Sequence, residues 1–352
     1  MSFSLDYNTL NGIPKPELPY VEGYEFSVIE YFPPEPQNKR SALTPDEAAK
    51  RVTTDVLTRC LIRNPISGQL GTRCLRLKVH KAIRVGDGKT SQIVLVDVIS
   101  GQLPNSRVVA KLYDPLYYDH ADDDVDPFLF VDVEYTRESA AYRYLQGQGQ
   151  ECIPDYYGSY SMDISYSDCQ RRTVRLILLE HIAGLPMTAL CPKDFPEDFQ
   201  KAVMKKIVDV ESQLYKINLR HCDTFPRNII IQGINLNLSE LHIKFIDFGH
   251  SIIGRSPDPQ NGDLEKEFLP GLYISPLLRW FKTWGREPIC NFDDWVNWDW
   301  NEWLFETYQS DMKHITPDML QKWLPDRARQ QYMLKARELG DGTFFSFSPT
   351  YV

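Results

Sequence analysis

Apolar positions recur along the chain in two distinct rhythms. From Cys74 they alternate with polar ones, as at Leu75, Leu77 and Val79. Two β-rich runs follow, Ile93-Val94-Leu95-Val96 and Val108-Val109-Ala110. Alternation of this kind predicts strands with one face in a core. Tyr156 to Ser161 and Val174 to Leu179 predict two more strands, and Asn228–Ile231 with Leu241–Ile246 predict a hairpin around Asn235–Ser239. The helical period appears between about Glu134 and Leu145, where Glu138, Ala141, Tyr142 and Leu145 share a face, and again from about Pro196 to Ile217. Thr44-Pro45-Asp46-Glu47 predicts a helix start, with Thr44 as N-cap, Pro45 in the first helical position and Glu47 completing a capping box. That helix is expected to run to about Thr58. Residues 1 to about 43 are rich in proline and aromatics with little periodicity, which predicts an extension.

Composition narrows the possibilities. The 352 residues suffice for one large or two modest domains, and a net charge of −9 without any basic run speaks against a nucleic-acid partner. Seven scattered cysteines form no C-x-x-C pair and no zinc-like spacing, which fits a reducing compartment. No basic, apolar leader opens the chain, and no stretch reaches the ~20 apolar residues of a membrane span, so a cytoplasmic protein with no membrane partner is expected. An acidic connector (Asp119, Asp122, Asp123, Asp124, Asp126) lacks the ligand spacing of a calcium loop and reads as a solvated insertion. Six of the seven tryptophans follow residue 283. Most are expected in the core, while Trp298 and Trp300 among Asp293, Asp294 and Asp299 are candidates to line a pocket for an aromatic or cationic acceptor.

Two short segments carry the chemistry. His221-Cys222-Asp223-Thr224-Phe225-Pro226-Arg227-Asn228 places an aspartate five residues before an asparagine in a loop after a helix, and Ile246-Asp247-Phe248-Gly249 places another aspartate at the end of an apolar strand. One carboxylate to orient an acceptor hydroxyl, with an amide and a carboxylate oxygen to hold a magnesium–triphosphate, is what phosphoryl transfer needs. Upstream, Lys111 at a strand end offers a compact positive charge for phosphate oxygens, with Glu138, or second Glu134, as the carboxylate that fixes it.

These segments resemble the catalytic loop and metal-binding motif of the protein-kinase-like superfamily, in its small-molecule kinase, aminoglycoside-phosphotransferase-like branch. The later part of the chain, with Ile274-Ser275-Pro276-Leu277-Leu278-Arg279-Trp280, looks like that of kinase-like proteins of filamentous fungi. The resemblance covers roughly residues 75 to 310. It implies an α+β, two-lobed fold: an extension with a short helix over 1–73, a small β-rich N-lobe over 74–181, and a larger, mostly helical C-lobe over 182–352. It further implies ATP and Mg2+ as cofactors and a small-molecule acceptor. Asp223, Asn228, Asp247 and Lys111 would be the catalytic set, with Asn228 and Asp247 on the metal. Gly86, Gly88, Lys111, Glu138, Glu180 and Ile182 would bind the nucleotide, the glycines at its phosphates and the backbone of Glu180 and Ile182 at its adenine. His221 would be structural.

The sequence departs from that pattern at three places. Ser91 stands at the third position of the glycine loop, no Ala-Pro-Glu follows Asp247, and Phe225 stands where members of the superfamily carry a lysine or histidine that donates to the transferring phosphate. The missing Ala-Pro-Glu, with no activation-loop organisation over 249–270, favours a small-molecule acceptor over a protein. The other departures keep two rivals open: a nucleotide- or partner-binding pseudokinase, and a related site running non-phosphoryl chemistry on a metabolite. Oligomeric state leaves no mark in the sequence.

Overall fold

The computed structural model describes residues 14–36, 42–121, 124–234, 237–254, 273–283 and 288–338. Asp122, Asp123, most of the 249–270 segment, Trp284 and the first two residues of the expected 235–239 turn lie outside the described residues. The chain divides into two compact units, residues 1–183 with 247–250, and residues 184–246 with 251–352.

The first unit is built on strands β1 (Glu25–Phe32), β2 (Gln69–Arg84), β3 (Gln92–Ser100), β4 (Arg107–Tyr113), β5 (Tyr156–Ser165) and β6 (Arg171–Glu180), with helices α1 (Pro45–Thr53) and α2 (Val56–Ile62) before β2 and α3 (Pro127–Gly147) before β5. The strands are hydrogen-bonded in the order β1-β2-β3-β4-β6-β5 and close into an antiparallel barrel. This overturns the expected two-lobed kinase-like fold with a sheet-based N-lobe. The physical reason is β1. It pairs with β2 from Glu25↔Lys78 to Phe32↔Gln69 and with β5 at Ile29↔Ser161 and Glu30↔Tyr160, so residues expected in an extension remove both remaining edges. Register shifts in β2 after Arg76, Val79 and Ala82 are the bulges that let a 16-residue strand curl around the core.

Alternation then sorts the side chains. Val28, Leu75, Leu77, Val79, Val94, Val96, Val108, Ala110, Leu112, Leu176 and Leu178 join one buried cluster inside the barrel. Lys111 and Tyr113, at the odd positions of β4, fall on the opposite face, where α3 packs against β4, β5 and β6. Helix α3 starts at Asp126, whose Oδ1 accepts from the amides of Phe128 and Leu129 at 3.0 Å, with Pro127 in the first position. Asp126 is thus a cap, and among the described residues no group of three acidic, histidine or cysteine side chains could hold a metal. The expected helix from Thr44 does begin there, with the Glu47 amide donating to Thr44 Oγ1 at 3.2 Å. It breaks at Thr54 and restarts from Asp55 as α2.

The second unit contains β7 (Leu185–Pro186), α4 (Glu197–Lys216), β8 (Leu219–Arg220), β9 (Ile229–Gln232), β10 (His242–Phe245), β11 (Ile252–Ile253), α5 (Pro276–Arg279), α6 (Trp300–Tyr308), α7 (Pro317–Trp323) and α8 (Asp326–Glu338). The expected hairpin is β9–β10, with β7 added on the β9 side and β11 paired to β8. Gly184 is required by packing: a Cβ there would lie 2.7 Å from the carbonyl oxygen of Ile231. Helix α4 buries Val203, Met204, Ile207, Val208, Leu214 and Tyr215, an i, i+3/i+4 stripe that also takes in Glu211. That carboxylate is matched by Arg279 and by Trp280 Nε1 at 3.0 Å. Of the described tryptophans, Trp280, Trp295 and Trp300 are core residues, while Trp298, Trp303 and Trp323 are half-buried. Among the described residues no helix is long and apolar enough to cross a membrane.

Candidate functional site

In the first unit the odd face of β4 delivers Lys111 to α3. Its Nζ donates to Glu138 Oε2 at 2.6 Å and to Asp247 Oδ1 at 2.7 Å. Tyr113, two residues along the same face, donates its hydroxyl to the same oxygen of Glu138. Glu138, rather than Glu134, is therefore the carboxylate on the lysine. Lys111 and Glu138 are both almost wholly buried. Burial disfavours the charge on Lys111, but Asp247 and Glu138 outweigh it and hold its pKa above that of an ordinary lysine. Burial raises the pKa of Glu138, with Lys111 pulling the other way.

Glu134 lies one turn before Glu138 on the same face of α3. Its Oε1 is 3.6 Å from His250 Nδ1, and its Oε2 occupies the space a Cβ on Gly249 would need. Burial, opposed by His250 and Lys111, pushes its pKa up to about 7. Asp247 itself has φ +65°, in the left-handed region that aspartate tolerates better than most residues. Phe248 is fully buried against Tyr142, ring centroids 5.1 Å apart, which anchors the segment.

The glycine loop between β2 and β3 is tied down by the protein itself. Gln92, wholly buried, accepts from the Gly86 amide at 2.8 Å and donates to the Gly86 carbonyl at 2.9 Å. Gly88 takes φ +71°, and Asp87 pairs with Lys15. The Gly86 N–H expected to approach a phosphate is thus already engaged, a partnership the sequence did not suggest. Register nonetheless keeps the loop close to the lysine, since Ile93, next after Gln92, pairs with Lys111. Glu180 ends β6, where its amide donates to Asp155 O at 2.9 Å and its Oε2 accepts from the Asp155 amide at 3.1 Å. Ile182 is buried, one residue before the chain leaves the first unit.

In the second unit the loop after β8 holds Asp223 by both carboxylate oxygens. Arg227 Nη2 donates to Oδ1 at 2.5 Å, and Asn228 Nδ2 donates to Oδ2 at 2.7 Å and to the Asp223 carbonyl at 2.9 Å. Cys222, exposed, takes φ +59°, so the chain turns sharply just before Asp223. With its amide nitrogen committed to Asp223, buried Asn228 has Oδ1 as its oxygen donor for a cation. The Asn228 carbonyl accepts from the Ile246 amide at 3.0 Å, and His221 Nε2 donates to the Ile246 carbonyl at 3.0 Å with its ring edge-on to Phe245. Both bonds fix the residue that precedes Asp247 in the chain. The side chain of Phe225 carries the Arg227 guanidinium 4.2 Å from its ring centroid.

A separate cavity of about 490 Å3 in the second unit is lined by Lys282, Trp298, Asp299, Trp300, Arg327 and Gln331 among others. Trp300 is buried and Lys201 lies 5.5 Å over the Trp298 ring, so the protein's own lysine already uses the face proposed for a cationic acceptor.

No family model matches the chain, and no curated protein matches it. Among solved structures it is similar to the crystal structure of the BubR1 kinase domain, at a TM-score of 0.37 and 15% sequence identity. The match covers 52% of this chain and 50% of that one, so the chain spans about half of that structure.

Proposed function

We propose that the protein is an ATP- and magnesium-dependent phosphotransferase acting on a hydroxyl of a small molecule. The observation that carries this reading is the buried lysine held at once by Glu138 and by Asp247, 2.6 and 2.7 Å away. A lysine buried against one buried carboxylate and shared with a second, half-buried one is a poor way to gain stability, because desolvation offsets most of the attraction. It is a good way to fix a cation and a metal-binding carboxylate for a polyanion.

In this reading Lys111 would bind phosphate oxygens. The carboxylate oxygen of Asp247 in the first unit, and the amide oxygen of Asn228 in the second, are each of the kind that suits a hard divalent cation, which would neutralise charge on the phosphates when bound. Asp223, oriented by Asn228 and Arg227, would hold the acceptor hydroxyl and take up its proton. A contribution from the glycine loop would require Gly86 to exchange its Gln92 partner for a phosphate oxygen.

Calorimetric titration with ATP, with and without magnesium, tests this on the full chain, alongside ADP release over a panel of hydroxylated metabolites. Magnesium-dependent binding that is lost in Lys111→Met and Asp247→Asn, with turnover lost in Asp223→Asn, is expected. Binding without release on any acceptor would favour a nucleotide-binding protein that does not turn over, a reading supported by the engaged Gly86 amide and by Phe225. Absence of nucleotide binding by the folded wild type would end both.

A further inference from the structure

The cavity of about 490 Å3 in the second unit plays no part in phosphoryl transfer as described above, and all its walls come from that unit. One wall is the chain after α5, one is the approach to α6, and one is α8. The first two are tied together: the Lys282 amide donates to Asn301 Oδ1 at 2.9 Å, and Asn301 Nδ2 donates to the Lys282 carbonyl at 3.1 Å. Asp299 is spent on the N-cap of α6, accepting from the Glu302 amide at 2.9 Å, and Trp300 Nε1 donates to the Trp280 carbonyl at 2.8 Å. These groups set the shape. What remains for a ligand is rich in donors. Arg327 and Gln331 lie one turn apart on the same face of α8, and their side chains make no hydrogen bond or ion pair among the described residues. Lys282 pairs with Asp293 at 2.7 Å, but the two side chains are 43% and 59% exposed, so that pair is cheaply loosened. Trp298 gives the cavity an apolar side. Lys201 already covers its ring at 5.5 Å, which leaves no call for a second cation there. Its Nε1 is buried without an acceptor among the described residues, so a small turn of the ring toward a bound oxygen would complete it.

We propose that this cavity binds a small aromatic carboxylate, its flat ring against the tryptophan wall and its carboxylate on Arg327 and Gln331. Charge favours an anion: Lys282 and Arg327 line the cavity against the single carboxylate of Asp299, in a chain whose net charge is −9. Guanidinium stays charged at any working pH, and its planar fork matches the two oxygens of a carboxylate. Shape favours a ring. Trp298 and Trp300 offer flat apolar surface, and Ala328, small and buried, keeps the α8 wall low between the two donors. The volume falls in the range of roughly 300–1,000 Å3 typical of small-molecule sites. A bare anion such as phosphate would leave the tryptophan wall unused. This site lies wholly within one unit and does not rest on the phosphotransferase reading, so either can fail alone.

The test is calorimetric titration of the full chain with naphthoate as the probe. Naphthalenemethanol supplies the same ring without the charge, and inorganic phosphate supplies charge without the ring. Wild type is expected to bind naphthoate saturably with a Kd of about 1 mM or tighter, and each comparator about tenfold or more weakly than that. Arg327→Met should weaken naphthoate about tenfold, and Trp298→Phe, which keeps a ring but loses the N–H, about threefold. Arg327 is exposed, so its replacement should leave the fold intact; circular dichroism melts check this, and Gln331→Leu gives a second reading from the same helix face. Three outcomes overturn the proposal: no saturable naphthoate binding by folded wild type, equal binding by wild type and both α8 variants, or a comparator that binds as tightly as naphthoate.

Discussion

Lys111 and Glu138, 27 residues apart in the chain, meet at 2.6 Å because two periodicities agree. Alternation along β4 turns Lys111 out of the barrel, and the α3 repeat turns Glu138 toward β4. Tyr113 shares the Glu138 oxygen and Asp247 takes a second bond from the lysine, so the pair is the centre of a four-residue cluster.

The members of that cluster are not equivalent, which a double-mutant cycle will reveal. Lys111→Met leaves Glu138 and Asp247 buried or half-buried with no cation, and should cost about 3–5 kcal/mol. Glu138→Gln leaves the lysine still paired with Asp247 and should cost about 1–3 kcal/mol. The double variant should be destabilised by less than the sum, as expected for residues in one network. Urea unfolding of the four proteins measures this. Additive losses, or a larger loss from Glu138→Gln, would contradict the geometry.

Closure of the barrel predicts a different kind of sensitivity. Phe26, Val28 and Tyr31 of β1 are buried, and each such side chain is worth roughly 1.5–3 kcal/mol when fully buried. Removing residues 1–34 would forfeit roughly 4.5–9 kcal/mol, comparable to the whole stability of an ordinary domain. It would also leave β2 and β5 as open edges. The truncated chain is expected to be insoluble or to lose its cooperative melt. A soluble, cooperatively melting product would show that β1 is dispensable.

That strand also marks where the sequence stops being readable. Phe26 and Val28 carry the alternation of a half-buried strand. The register shift between Ile29 and Tyr31 then breaks the period, and the surrounding prolines make the segment read as an extension. Strands around Leu75–Val79, Ile93–Val96, Val108–Ala110, Tyr156–Ser161 and Val174–Leu179 were legible because local alternation, or a short run rich in β-branched residues, specifies them. The choice of Glu138 for Lys111 was legible for the same reason, since it needs only a strand parity and a helix face. Neither reveals how many strands surround the core, so an open sheet and a closed barrel look alike until β1 is placed. The partners of Asp223 and Gly86 were hidden differently. Arg227, Asn228 and Gln92 act through side-chain geometry in loops, where no period constrains direction.

Glu134 gives a pH dependence with a definite sign. Its carboxyl titrates near 7 in the fold and near 4.3 in an unfolded chain, so the folded state holds the proton more tightly. Stability from this group is fully present below the unfolded value and declines as pH rises toward 7, by roughly 3–4 kcal/mol in total. Glu134→Gln, which keeps the shape without a charge, should flatten this decline. Urea midpoints at pH 5 and 7 for both proteins provide the comparison. Parallel pH curves for wild type and variant would rule the assignment out.

His120 predicts the opposite slope on the acid side. It is buried beside α2, donating through Nε2 to the Pro115 carbonyl at 2.7 Å, and its Nδ1 lies 3.3 Å from Arg59 Nη2. An arginine donor at Nδ1 requires that nitrogen to be the acceptor, so the ring is neutral. Burial, with a smaller push from Arg59, lowers its pKa to about 3. The unfolded chain protonates it near 6.5, so stability is intact above that pH and falls as the pH drops toward 3, by at most roughly 5 kcal/mol. His120→Gln removes the proton linkage while keeping a donor and an acceptor. It should therefore be less stable than wild type at pH 7 yet lose less between pH 6.5 and 4. A variant curve that stays parallel to wild type through that interval would mean the acid sensitivity lies elsewhere. With Glu134 acting from above and His120 from below, these two groups together place their most favourable pH between about 5 and 6.5.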